Sequence, residues 1–152
     1  MNRTKLSVAT TLAAALIASS ATAYADPVPT VDEVVAVMAE LTDPNIPAAN
    51  KGNIVTPGFS PDEAGTVDDH LHRTDAVGLL PYNFVVTEIQ PAPNNSAGAT
   101  LSTVGSPRQH SPDRPIVLVD QGGRWLITHD SAMYELTVLW SVAHRYIPPA
   151  IK

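Results

Sequence analysis

The stretch YNFVVTEIQPAPNNSAGATLSTVGSPRQHSPDRPIVLVDQGGRWLITHD, residues 82–130, decides the fold. It divides into four runs: Tyr82 to Gln90, Thr100 to Gly105, Pro115 to Asp120 and Trp125 to His129. Each is rich in Val, Ile, Leu, Thr or an aromatic residue, side chains that suit a pleated, half-buried surface, and each is bounded by Pro, Gly or Asn. The spacing predicts a four-stranded antiparallel meander. Residues 91–98 form a polar turn, and Ser106 to Arg114, with two prolines and His110, a mobile connection. Gln121-Gly122-Gly123-Arg124 is a tight hairpin signal. In the first run Tyr82, Phe84, Val86 and Glu88 alternate with Asn83, Val85, Thr87 and Ile89. Both sets carry apolar groups, which predicts burial on both sides over part of that strand.

A meander needs an apolar cover on its buried face, and the flanking sequence supplies it. Upstream, Thr30-Val31-Asp32-Glu33 is a capping box, and Val31, Val34, Val35, Met38 and Leu41 fall on one helical stripe. Pro44 disfavours helical geometry at Asp43 and ends that helix. Ser60-Pro61-Asp62-Glu63 is a second capping box with proline at the first helical position; Thr66-Val67-Asp68-Asp69 is an alternative start, since Gly65 weakens the first turn. That helix runs to about Val77 and stops at Gly78. Leu79-Leu80-Pro81 then leads into the first strand. Downstream, Ser131 is a candidate N-cap for a helix from Ala132 to Ile147. Tyr134, Leu136, Val138, Trp140 and Val142 also alternate as in a strand, but the length and the cap favour helix. Pro148-Pro149 ends it, leaving a short tail over residues 148–152.

The chain opens with Arg3 and Lys5, then an uncharged run from Leu6 to Ala25 closed by Ala23-Tyr24-Ala25. This pattern predicts a secretory signal over residues 1–25 with cleavage before Asp26. Residues 26–29 form a lead-in, and residues 30–147 a single domain with a core of ordinary size. Nine Lys and Arg stand against 15 Asp and Glu, a net charge of −6, and losing the signal makes the remainder more acidic still. An acidic surface without a basic cluster repels nucleic acid and anionic lipid, so neither is an expected partner. No membrane span is expected after cleavage, and the product is expected outside the cell, free or held at the envelope. Cysteine is absent, which excludes thiol catalysis and leaves stability to the core alone.

The run Leu41-Thr42-Asp43-Pro44-Asn45-Ile46-Pro47-Ala48-Ala49-Asn50-Lys51-Gly52 resembles the low-molecular-weight antigen family of mycobacteria and related actinobacteria, which carries a similar L-x-D-P-N…A-N-K-G run after its first helix. The likeness continues at Val86-Thr87-Glu88-Ile89-Gln90-Pro91-Ala92. It returns at Val119-Asp120-Gln121-Gly122-Gly123-Arg124-Trp125 and at Ser131-Ala132-Met133, so it covers roughly residues 29 to 136 in one order. The chain departs from the pattern beyond the Ser-Ala-Met helix and between strands two and three. The resemblance implies a small exported protein known as an antigen, with no reaction, cofactor or catalytic residue attached.

Three constellations could carry chemistry. Asp68, Asp69, His70 and His72 offer metal-ligand types, but on a helix His70 and His72 diverge. Asp68 with His72 and Asp69 with Arg73 then read as pairs on a solvated face. His129-Asp130 could be a base with its orienting carboxylate, or a strand end with Asp130 or Ser131 capping the next helix. Trp125, Trp140, Tyr82, Phe84 and Tyr134 could line an apolar pocket or simply fill the core. No G-x-S-x-G, P-loop, G-x-G-x-x-G or HExxH motif occurs.

These observations define an α+β domain: two helices, a four-stranded antiparallel meander and a C-terminal helix. That order is shared with cystatin-like and NTF2-like cones, which often enclose a pocket. The expected function is that of a secreted non-enzymatic protein acting through a protein partner or a small apolar ligand. No cofactor, metal or catalytic residue is expected. The alternative is a cone-fold isomerase or dehydratase using Glu88 or His129 with Asp130, which requires those groups to point into a cavity.

Overall fold

The computed structural model describes residues 26–144, so the expected signal over 1–25, the end of the last helix and the tail over 148–152 lie outside the described residues. Helix α1 spans Val31–Leu41. Its capping box forms as expected: the Thr30 hydroxyl accepts from the Glu33 amide at 3.2 Å, and the Glu33 carboxylate accepts from the Thr30 amide at 2.7 Å. The buried stripe is Val34, Val37, Met38 and Leu41, whereas Val31 is 49% exposed. The stripe is thus turned toward Val37, because the first helical residue stands beyond the end of the core.

A 3-10 turn at Ala48–Asn53 leads into strand β1, Val55–Thr56. Helix α2 spans Pro61–Ala76 from the Ser60 capping box, so Gly65 sits inside it, and Gly78 takes a left-handed φ of 73° just past its end. Strands β2 (Asn83–Ala92), β3 (Ser96–Val104), β4 (Ser111–Asp120) and β5 (Trp125–Thr128) follow, then helix α3, His129–His144. The sheet order is β1-β5-β4-β3-β2, antiparallel except that β1 runs parallel to β5.

The α+β class holds, but the expected four-stranded antiparallel meander is corrected to a five-stranded mixed sheet, and this sheet does not confirm the cone analogy. The added strand is two residues long, too short for a periodic signal. The Ile127 amide donating to the Ile54 carbonyl at 2.8 Å anchors it beside β5. Strand β4 also begins earlier than expected, at Ser111. Pro112 falls where the β3–β4 register shifts, between Leu101 and Thr103, a place where a missing amide costs little. The turn between β2 and β3 narrows to residues 93–95, with Asn94 and Asn95 at φ 61° and 54°. Asparagine tolerates that left-handed region better than most residues.

Ala99, Leu101, Ile116, Leu118 and Ile127 point from the sheet into one core with Val34, Met38, Leu41, Val67, Leu71 and Leu136 from the three helices. The opposite face is open, and Val85 and Val117 stand about two-fifths exposed on it. Two-sided burial of β2 is therefore incorrect. A bulge between Val86 and Glu88 shifts the alternation, so Phe84, Val86 and Ile89 share the core side and Glu88 turns out.

Candidate functional site

The loop after α1 is a hydrogen-bonded knot built by the Leu41-to-Gly52 run. Leu41 anchors in the core, and the Thr42 hydroxyl donates to the Met38 carbonyl at 2.9 Å. The Asp43 carboxylate accepts from the Asn45 amide at 2.8 Å, a turn that lets the chain reverse at Pro44. That bond holds the Asp43 carboxyl below its ordinary pKa. Lys51 is wholly buried, and its ammonium donates to the carbonyls of Glu40 at 2.6 Å and Asp43 at 2.9 Å. The last carbonyls of a helix lack partners and carry its negative end, so this ammonium caps α1 from eleven residues downstream of Glu40. Burial lowers the Lys51 pKa, opposed by Asp43, Asp68 and Glu40. Asp68 fixes the turn that delivers Lys51 by accepting from the Ala48 amide at 2.8 Å.

Beside this knot lies a cavity of about 320 Å³, between the end of α1 and the α2–β2 connection. Ala39, Pro44, Leu80 and Pro81 give it apolar walls, and Thr42, Asp43, Asn45 and Asp75 add polar residues to its lining. The connection is strapped by Gln109, whose amide donates to the carbonyls of Leu79 at 3.0 Å and Pro81 at 3.3 Å. Tyr82 lines the cavity and is 7% exposed; among the described residues its buried hydroxyl has no hydrogen-bond partner. Burial pushes its pKa up to about 12, so it remains a donor at neutral pH.

The residues singled out from the sequence go to separate places. Asp69 pairs with Arg73 at 2.8 Å on a solvated face, as expected. Asp68 instead holds the 3-10 turn, so its pairing with His72 is corrected; a backbone amide within reach is the better partner. His70 stacks on Trp140 with centroids 4.0 Å apart, and burial lowers its pKa. Among the described residues no group of three or more His, Asp or Glu converges as metal ligands. His129 meets Glu63 of α2 at 3.2 Å and Asp130 at 3.6 Å. Glu63 is already committed to the Ser60 capping box, whose bonds are the main reason its pKa is lowered. Helix α3 begins at His129, so neither Asp130 nor Ser131 caps it. Thr128 accepts from the Ser131 amide at 3.4 Å, and the Ser131 hydroxyl accepts from the Val117 amide at 2.9 Å.

Neither His129 nor Asp130 lines the cavity. Glu88 lies exposed on the open sheet face, hydrogen-bonded to Gln90. The acid and base of the cone-enzyme alternative are therefore not gathered around the cavity. The aromatic residues are also dispersed. Tyr82 and Phe84 neighbour each other at 6.1 Å, Trp125 lines a separate depression beside Glu33 and Arg124, and Tyr134 is about half exposed.

Two features escape a reading of residue patterns. One is the capping ammonium of Lys51. The other is a buried ion pair, Arg114 with Glu135, at 2.8 and 2.6 Å through two guanidinium nitrogens. Arg114 also binds Ser111 and the Pro112 carbonyl, and Ser111 accepts from the Thr103 amide at 3.1 Å. Burial raises the Glu135 pKa, and Arg114 opposes the rise. A signal existed: Glu135 falls on the buried stripe Ala132, Leu136, Leu139 and Ala143, where a charge needs a partner.

Residues 27–140 match the family described as low molecular weight antigen MTB12, C-terminal domain. The low molecular weight antigen MTB12 of Mycobacterium tuberculosis (strain CDC 1551 / Oshkosh) is 41% identical over 112 residues, covering 73% of this chain and 66% of that protein. The MTB12 homolog of Mycobacterium leprae (strain TN) is 32% identical over 106 residues, covering 70% of this chain and 63% of that protein. The chain thus matches just under two thirds of each relative's own length.

Proposed function

The chain belongs to the low molecular weight antigen MTB12 family, and on that premise we propose that it is an exported, non-enzymatic protein that holds a small ligand in the cavity between α1 and β2. The observation that carries this reading is the cavity itself, whose lining combines the apolar Ala39, Pro44, Leu80 and Pro81 with the polar Thr42, Asn45, Asp43 and Asp75. A volume of about 320 Å³ lies at the lower end of the range of small-molecule sites. Non-enzymatic action is supported by the scatter of the titratable candidates: Glu88 faces outward, and His129 is engaged with a helix cap. Export is supported by the amino-terminal pattern of charge, apolar run and small-residue triplet.

Native mass spectrometry of the protein purified from its own culture medium tests this reading. A co-purifying small molecule, released unchanged on denaturation, is the expected result. Steady turnover of a metabolite by the purified protein would overturn the non-enzymatic part. A mass free of any ligand at every protein concentration would overturn the binding part.

A further inference from the structure

Gly98 lies in the interior of β3, where glycine weakens a strand because it packs no side chain and loses the most conformational freedom. Strands retain glycine at bulges, at left-handed positions, or where another group approaches closely. The register of β3 shifts between Leu101 and Thr103, away from Gly98, and Gly98 is not left-handed. A Cβ on Gly98 would meet no atom within 4 Å, so no neighbour among the described residues needs the space. What remains is an approach from outside. On the open face of the sheet Gly98 floors a depression of about 150 Å³, bordered by Glu88, Gln90, Thr100 and Pro115. Val117 is the partner of Gly98 on β4 and stands 41% exposed on that face. Hole and knob thus lie about 5 Å apart, side by side. The outward positions from Val85 to Ala92 on β2, Ser96 to Ser102 on β3 and Pro115 to Val119 on β4 carry a single charge, Glu88, in a chain with 15 acidic residues. Depletion of charge sets the centre of an interface apart from ordinary surface.

We propose that this face docks a second copy of the chain, sheet against sheet, with Val117 of each copy seated over Gly98 of the other. A two-fold interface must bring each patch against itself, so knob and hole have to exchange places across the axis. An axis parallel to the strands and midway between β3 and β4 does this, because Gly98 and Val117 are register partners on those two strands. The same axis sends the two Glu88 side chains to opposite flanks, about 14 Å apart, beyond the screening length at physiological salt. The face of β2 to β5 measures about 19 by 30 Å, so a dimer buries about 1,200 Å² in total, the lower limit of stable interfaces. A dissociation constant on the order of 10 µM is therefore expected. A different partner would need only the hole; the adjacent knob favours a copy.

The test is sedimentation velocity of the protein purified from its own host, from about 1 µM to about 500 µM, together with Tm at the dilute end. The natural chain is expected to pass from monomer to dimer across that range. Gly98→Val fills the hole and is expected to stay monomeric throughout, while its Tm rises by about 2–4 °C because a β-branched residue replaces glycine in a strand. Gly98→Val combined with Val117→Gly transposes knob and hole, and is expected to recover dimerisation. Val117→Lys, a substitution on the solvent side that leaves the core untouched, is expected to remain monomeric. A natural chain that is monomeric at every concentration overturns the proposal, whether or not another protein proves to occupy the face. So does a dimer that survives Gly98→Val or Val117→Lys, which would place the contact elsewhere. A lower Tm in Gly98→Val would show that the fold itself needs the glycine, and a folded transposed variant that stays monomeric would refute the two-fold register.

Discussion

The molecule contains two clusters of polar groups that contrast in completeness. In one, Arg114 and Glu135 are buried and paired through two nitrogens, and Ser111, Thr103 and the Pro112 carbonyl satisfy what remains. In the other, beside the cavity, the buried Tyr82 hydroxyl has no hydrogen-bond partner among the described residues. A buried network with every member satisfied fixes one arrangement of β4, β3 and α3, and needs nothing from outside. A polar set left incomplete beside a cavity is a cost to the folded chain alone, and such local conflicts concentrate where proteins bind. The contrast separates scaffold from site.

The largest expected effect breaks the complete cluster. Glu135→Ala leaves a buried guanidinium without its carboxylate and should destabilise the fold by about 3–5 kcal/mol in urea denaturation. Arg114→Met combined with Glu135→Leu should recover most of that loss, since it removes both charges together. A double variant as unstable as the single one would show that the pair does more than satisfy itself. Next, Lys51→Met removes the donor of two carbonyls at the end of α1 and should cost about 2 kcal/mol by the same measurement.

Acid sharpens the comparison through Glu33 and Glu63, which cap helices α1 and α2, and through Asp43. Their folded pKa values lie below 4.5 for the glutamates and 3.8 for the aspartate, so in that window the unfolded chain binds more protons. Their stabilisation is complete above the unfolded values and is lost as pH falls through the folded ones. Glu135, raised by burial, acts oppositely: its contribution is lost as pH rises above 4.5. Urea midpoints should therefore decline below pH 4.5, and Glu33→Gln with Glu63→Gln should flatten that decline. An unaltered slope in the double variant would contradict the assignment to the caps. The smallest effect is expected at Tyr82. Removing a buried hydroxyl that bonds nothing among the described residues, by Tyr82→Phe, should raise stability by about 1 kcal/mol. A loss instead would mean that the hydroxyl has a protein partner in solution.

Much of the scaffold is legible in the sequence because its signals are local. Both capping boxes, the α1 stop before Pro44 and the Gly122-Gly123 turn depend on residues within four positions of one another. The parallel strand Val55–Thr56 is illegible for the opposite reason: two residues have no period, and its partner Ile127 lies far along the chain. The bulge after Val86 inverts the apparent faces of β2, and the prolines at 112 and 115 conceal the start of β4. The site shows the same division. The Leu41-to-Gly52 run stands out by its resemblance to a family, yet its physical content, an ammonium returning to cap α1 and a wall for the cavity, requires the fold. Tyr82 reads from sequence as one more strand aromatic. Its missing partner appears only once every neighbour is in place.

The most direct measurement is a crystal structure of the protein purified from its own culture medium. The account predicts a bound small molecule against Pro44, Leu80 and Pro81. A structure with the cavity closed, or open and empty, would contradict it.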